Sequence, residues 1–249
     1  MDELKDNDNI LDRIREILGD PSTSFSILEH QIDIKVQMEY FEYSKSHRSK
    51  FETEDVLAQE PKLYDQSVPL DEKKLLLVKL ASIDKPEAYR VLERFSPSAP
   101  ADIKDWAVMA TQESRMLLES QLLDEQQVFI STGLGGKDGK LRYYVVAFPE
   151  QTESFTASQQ KLIESEFEYS LKQSNAEIES LEFTPEHVCI MALVPLSVQV
   201  RLPFKKAIDE CNSLGRFIKD AFIITNVKKL TDDEIKEIVS KPSKDEGEE

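Results

Sequence analysis

Apolar positions along this chain change period near its midpoint. Before residue 125 they recur every three or four residues, the spacing of one helix face; after it, short alternating or continuous apolar runs of strand type are separated by helical stretches. In the first half, Ile10, Leu11, Ile14, Ile17 and Leu18 share one face of a predicted helix over 9–18, which Gly19, Asp20 and Pro21 end. The segment 25–43 carries two patterns at once. Ile32, Ile34, Val36, Met38 and Tyr40 alternate as in a strand, whereas Phe25, Leu28, Ile32, Val36, Tyr40 and Tyr43 suit a helix, and its length and Glu, Gln and Met content favour the helix. Residues 44–69 are polar and predict a loop with a short helix over 53–59. Leu76, Leu77, Leu80 and Ile83 then make a helical stripe that stops at Asp84. Asp84 is expected to cap the next helix, with Pro86 in its first turn and Glu87 at the capping-box position. That helix buries Ala88, Val91, Leu92 and Phe95 and is broken by Pro97 and Pro100. A third, over 102–123, turns Ile103, Trp106, Ala107, Ala110, Leu117, Leu118 and Leu122 inward.

In the second half, Gln127–Phe148 holds four of the seven glycines between two strand-type runs, Val128–Ile130 and Leu141–Phe148. These runs are expected to pair as a hairpin across the Gly-rich loop 131–140. Thr156-Ala-Ser-Gln159 starts a helix reaching 173, which turns Leu162, Ile163, Phe167 and Leu171 inward. Strands over 177–184 and 187–196 form a second hairpin. Pro203 opens a helix with Phe204, Ala207, Ile208, Cys211 and Leu214 on one side and Gly215 at its end, and 221–227 is the last strand. Thr231-Asp-Asp-Glu234 caps a short final helix, and the acidic tail that follows has the composition of a disordered segment.

This order predicts an α+β protein: a helical domain over 1–125, an antiparallel sheet with two helices of ferredoxin-like kind over 126–230, and a short helix with the tail over 231–249. With only 122–127 between them, the two domains are expected to pack as one body.

Within the helical half, Asp84-Lys-Pro-Glu-Ala88, then Leu92, then Asp102-Ile103-Lys104, then Ala107 and Ala110 resembles a HEAT repeat of the short, lyase-type class. The resemblance spans 76–119 and implies a binding surface without chemistry of its own, its alanines letting paired helices approach closely. The other reading is a helical domain that packs on its neighbour.

Composition narrows the function classes. The net charge is −17 and the pI near 4.7, so any phosphate-binding surface works against the overall field, and nucleic acid and anionic membranes are disfavoured as partners. No apolar run approaches the ~20 residues that cross a bilayer, and the acidic start MDELKDNDN lacks the basic and apolar parts of a signal peptide; a cytoplasmic location is expected. Cys189 and Cys211 sit on apolar faces and are expected to be free, buried thiols.

The loop Ser131-Thr132-Gly133-Leu134-Gly135-Gly136-Lys137-Asp138-Gly139-Lys140 has the parts of a phosphate cradle: unobstructed backbone N–H groups, two hydroxyls and two lysines. Its spacing is not that of a P-loop, because Leu134 stands where the first glycine is needed and no Ser or Thr follows Lys140. Nor is it a dinucleotide fingerprint, since a strand rather than a helix follows. A turn that needs positive φ at several positions is the competing reading.

His187-Val188-Cys189, after a Pro-Glu turn and inside a ferredoxin-like order, resembles the His-apolar-His strand of the small HUH-class transposases, in which two histidines hold a divalent metal. Here Cys189 replaces the second histidine, so the resemblance implies that the nuclease chemistry is lost. Three histidines in all give no His-rich metal centre, and no nucleophile-elbow pattern occurs.

These readings predict a non-enzymatic cytoplasmic interaction or regulatory protein with a protein partner and no cofactor or metal. Trp106, Arg115, Tyr143 and Tyr144 are its candidate contact residues. The alternatives are a sensor of a small phosphate-bearing ligand that uses Ser131, Thr132, Gly133, Gly135, Gly136, Lys137, Gly139 and Lys140, and a divergent, inactive HUH-type nuclease relic.

Overall fold

The segment with two patterns divides between them. In the computed structural model, which describes residues 24–47, 52–123, 127–151 and 154–240, Ser24–Ile27 is a strand (β1) and Ile34–Ser46 a helix (α1). Asp33 caps α1 by accepting from the Lys35 amide at 2.8 Å. The strand-like alternation after Ile32 therefore lies on a helix, whose buried side chains Gln37, Tyr40 and Ser44 follow a helical period instead. The helix expected over 9–18 and the acidic tail beyond Ser240 lie outside the described residues.

Short helices Thr53–Leu57 (α2) and Pro61–Tyr64 (α3) lead into Leu70–Ala81 (α4), Pro86–Phe95 (α5) and Lys104–Leu123 (α6), with one 3-10 turn at Ser96–Ser98 where Pro97 breaks the chain. Leu77, Leu80, Leu92, Phe95, Ile103 and Ala107 fill one core together with Tyr40 of α1. Asp84 does not cap α5. Lys85 occupies that position without a side-chain bond, and the Asp84 carboxylate instead accepts from Gln121 Nε2 of α6 at 2.7 Å. The helices share one core with α1, and a HEAT-type stacking of successive helix pairs is not shown.

Gln127–Ile130 (β2) does not pair across the Gly-rich loop as expected; it runs parallel to β1 in a separate two-stranded sheet. The hairpin partner of Lys140–Pro149 (β4) is the two-residue strand Gly136–Lys137 (β3), joined through Asp138 and Gly139, both with positive φ (50° and 75°). Asp-Gly with both residues left-handed is the two-residue turn whose twist matches antiparallel strands. A tight turn thus takes the hairpin, which frees β2 for another partner. The β1–β2 ribbon stands between the two cores: Val128 and Ile130 with Phe25 and Ile27 join the sheet core, and Phe129 packs on the helical one.

The remaining elements are Ala157–Gln173 (α7), Glu177–Phe183 (β5), Val188–Pro195 (β6), Arg201–Ser213 (α8), Ile218–Thr225 (β7) and Asp232–Ser240 (α9). Thr156 and Gln159 form the expected capping box at α7. The sheet order is β5-β6-β4-β7 with every pair antiparallel, and α7 and α8 lie between its strands in sequence, which is the split βαβ arrangement of a ferredoxin-like fold. Tyr143, Val145 and Ala147 of β4 and Val188, Ile190 and Ala192 of β6 face Ile163, Phe167, Phe204 and Ile208 of the two helices. The alternate residues Tyr144, Val146 and Met191 face away from those helices, where Leu134 and Ile235 cover them. No helix among the described residues is long and apolar enough to cross a membrane.

Candidate functional site

The Gly-rich segment is packed against backbone on several sides. A Cβ on Gly133 would fall 1.8 Å from the Val227 carbonyl oxygen, and one on Gly135 would fall 2.5 Å from that of His30 and 2.6 Å from that of Glu29. One on Gly136 would meet the Lys140 carbonyl oxygen at 2.3 Å. Glycine is needed here for close approach of chains. Several polar groups of the segment are engaged inside the protein, whereas Ser131 is half-buried and Lys137 is exposed. The Leu134 amide donates to the Asn226 carbonyl at 3.0 Å, the Gly135 amide to Thr132, and the Thr132 hydroxyl to the Gly135 carbonyl. Gln37 Nε2 of α1 donates to the carbonyls of Ile32 (2.8 Å) and Thr132 (3.0 Å) and so ties the helical half to the loop.

Two charged side chains fix the loop from below. Lys140 is buried and pairs with Glu177. Arg142 grips both oxygens of Glu179 and donates through Nη1 to the Leu134 carbonyl at 2.8 Å. The guanidinium holds the Glu179 carboxyl below the usual carboxylate range.

Of the loop residues, Gly139 borders a cleft of about 330 Å³ between β1, α6 and the hairpin turn, lined also by Ser26, His30, Gln112, Arg115 and Glu119. Arg115 is there already committed to the Tyr89 hydroxyl, at 3.0 Å from Nη2 and 3.2 Å from Nε, and Gln112 donates to Ser26 Oγ at 2.7 Å. The other candidate contact residues lie inside. Trp106 is buried edge-on against Tyr40 and Tyr43, each at 5.3 Å between centroids, with Lys74 Nζ 4.2 Å above its ring. Tyr143 and Tyr144 are buried on opposite faces of the sheet. Burial pushes the Tyr143 phenol up to about 12 against a hydrogen bond with Asn226 that opposes the shift.

The sheet face turned away from α7 and α8 gathers the chain's remaining chemistry. Side chains two apart on a strand point the same way, so His187 and Cys189 meet there at the start of β6. Tyr144 of the neighbouring β4 donates its hydroxyl to Cys189 Sγ at 2.9 Å. Burial raises both groups, the phenol and the thiol, so neither ionises near neutrality. His187 is only 4% exposed, and its Nε2 has no hydrogen-bond partner among the described residues; Asp232 Oδ1 of α9 lies 3.7 Å away. Burial lowers the tendency of the imidazole to protonate, partly opposed by Asp232 and Glu186. The Phe148 ring stands edge-on to it at 6.2 Å.

Over this face lies α9, attached lightly. Ile235 is its one buried side chain, a burial worth about 1.5–3 kcal/mol. The rest is surface contact: Lys236 with Glu186 at 3.2 Å, Lys228 with Glu234, and a capping box in which the Thr231 amide donates to Glu234 Oε2 at 3.0 Å. The capping box was legible in the sequence, but the meeting of Asp232 with His187 was not, because it depends on where the helix docks.

A divalent ion of the kind the HUH resemblance implies does not fit these groups. Cys189 holds its proton and receives the Tyr144 hydroxyl, and no group of three His, Cys, Asp or Glu able to hold a metal occurs among the described residues. Both cysteines are free thiols.

No protein-family model and no curated protein matches the chain. Solved structures similar to it include a putative transposase from Deinococcus radiodurans, 15% identical, with a TM-score of 0.34 over 40% of this chain and 88% of that one. A second is a REP-associated tyrosine transposase bound to a REP hairpin, 15% identical, with a TM-score of 0.29 over 40% of this chain and 62% of the other. Both neighbours are described as transposases, and with that finding the expectation of a non-enzymatic protein binder for which nucleic acid is a disfavoured partner does not stand. At these TM-scores the likeness assigns no activity to this chain, and the functional case rests on its own geometry.

Proposed function

We propose that the sheet domain is a divergent nucleic-acid domain of the HUH-transposase kind, in which the metal-holding strand survives as His187-Val188-Cys189. One observation carries the reading. His187 and Cys189 share the face of an antiparallel sheet ordered β5-β6-β4-β7 that is turned away from α7 and α8, and the imidazole is buried there with no hydrogen-bond partner on Nε2 among the described residues. A buried polar atom without a partner costs about 1–3 kcal/mol and is not expected in a face selected for packing alone. No metal-assisted step follows from these groups, since the thiol stays protonated and bonded to Tyr144.

The chain's charge of −17 demands that binding be local and strongly salt-dependent. Fluorescence anisotropy with labelled single-stranded and hairpin DNA, at low and at physiological salt, tests this. Saturable binding to either DNA at low salt that weakens with added salt supports the reading. Absence of binding to either DNA at low salt removes it. Incubation of the same oligonucleotides with Mg²⁺ or Mn²⁺ reads strand cleavage directly, and a cleaved product would show that an ion is taken up despite this ligand set.

A further inference from the structure

Three features bear on α9. It is nine residues long, below the length at which a helix holds itself together in water, so its order depends on docking. It docks through a single buried side chain, Ile235, whereas α7 buries Ile163, Phe167 and Leu171 and α8 buries Phe204, Ala207, Ile208 and Cys211. Ile238 and Val239, three and four residues on and so on the same helical face as Ile235, are nevertheless left in solvent, and its lysine–glutamate pairs join largely exposed groups. Beneath it sit an imidazole with no hydrogen-bond partner on Nε2 among the described residues and a thiol held by a tyrosine hydroxyl. The sheet itself is complete without it, each strand pair being closed by β4, β5, β6 and β7.

We propose that α9 is a displaceable strap that gates the face bearing His187, Cys189 and Tyr144. Closed, it covers this face with Ile235 and sets Asp232 beside the imidazole; open, it presents the imidazole and the apolar side chains Val146 and Met191, next to the half-buried thiol, to solvent or to a ligand. Opening is local, because neither the α7–α8 core nor the strand pairing involves α9. The strap follows from packing alone and does not require the nucleic-acid reading.

The chain's three histidines provide the test, since His30 is exposed and serves as a reference for His187. Carbethoxylation of the full chain with diethyl pyrocarbonate near neutral pH, read by mass spectrometry, is expected to modify His187 far more slowly than His30. Ile235→Ala is expected to speed His187 by on the order of tenfold or more with His30 unchanged, as loss of a docking side chain does to a local opening equilibrium. Cys211, fully buried in the α7–α8 core, must stay protected from iodoacetamide in the variant. Asp233→Glu, exposed and about half a turn from Ile235, is expected to leave all rates unchanged. A His187 rate equal to that of His30 in the native chain overturns the proposal, as does a rate that Ile235→Ala leaves unchanged. Release of Cys211 together with His187 also overturns it, because opening is then global. If Ile235→Ala does not fold, native-state hydrogen exchange of the unaltered chain decides: the α9 amides are expected to exchange well before those of β4 and β6, and simultaneous exchange sinks the strap.

Discussion

Gly133 faces the carbonyl of Val227 so closely that a Cβ would fall 1.8 Å from its oxygen. The obstacle is backbone, so the segment after β7 has to move to admit even a methyl group. Gly133→Ala is expected to destabilise the protein by about 3 kcal/mol or more, at the upper end of overpacking effects. Gly139→Ala meets nothing within 4 Å and is strained only by its φ of 75°, a cost of about 1–2 kcal/mol. Urea unfolding of the two variants checks the order, and equal losses would contradict it.

Gln37 makes a second seam testable. Its amide serves the carbonyls of Ile32 and Thr132 from inside the protein, where water cannot replace it. Gln37→Leu keeps much of the volume and leaves both acceptors without this donor, so a loss of about 2–4 kcal/mol is expected. Gln37→Glu is expected to be as costly, because a carboxylate has no proton to donate and sets its charge against two carbonyl oxygens.

How much of this was legible in the sequence depends on the range of the contact involved. The Thr156 and Thr231 capping boxes, the β5–β6 hairpin and most of the apolar stripes of α4 to α8 are local patterns that appear where their spacing places them, but Leu122 and Leu214, expected inward, are exposed because they lie at the ends of their helices past the last packed turn. The β1–β2 pairing joins Ser24 to Gln127 across the whole helical half, and nothing in either strand names the other. The Gly-rich loop misled for a related reason. Its glycines answer to Val227, Glu29, His30 and Lys140, three of them remote in sequence, while the Asp138-Gly139 turn that makes the hairpin is a two-residue signal inside the longer loop. Of the candidate site, the common face of His187 and Cys189 follows from strand alternation. Tyr144 and Asp232 join it only through β4–β6 register and the docking of α9.

The grip of Arg142 on Glu179 should not be reproducible by lysine. The guanidinium reaches both carboxylate oxygens and the Leu134 carbonyl at once, a planar geometry that an ammonium cannot match. Arg142→Lys is expected to cost about 1.5–3 kcal/mol, and in a double-mutant cycle with Glu179→Gln the two losses are expected to be less than additive. Strict additivity would show the pair to be independent.

The imidazole of His187 carries a pH dependence whose sign is fixed by its burial. Unfolded, it takes up a proton around pH 6.5; folded, burial holds it neutral to lower pH, with Asp232 of α9 and Glu186 of the preceding turn opposing that and Lys236 of α9 reinforcing it. Between the two values the unfolded chain binds more protons, so stability is fully present above about pH 7 and falls as the pH drops through 6.5. Acidic groups titrate in the same samples, and the comparison that isolates His187 is with His187→Leu, which also removes the Nε2 that has no hydrogen-bond partner among the described residues. The variant is expected to match or exceed the native melting temperature at pH 7.5 and to lose less of it on going to pH 5.5. Parallel melting curves across that range would mean that His187 protonates equally well in both states, and a variant much less stable at pH 7.5 would mean that Nε2 is partnered after all.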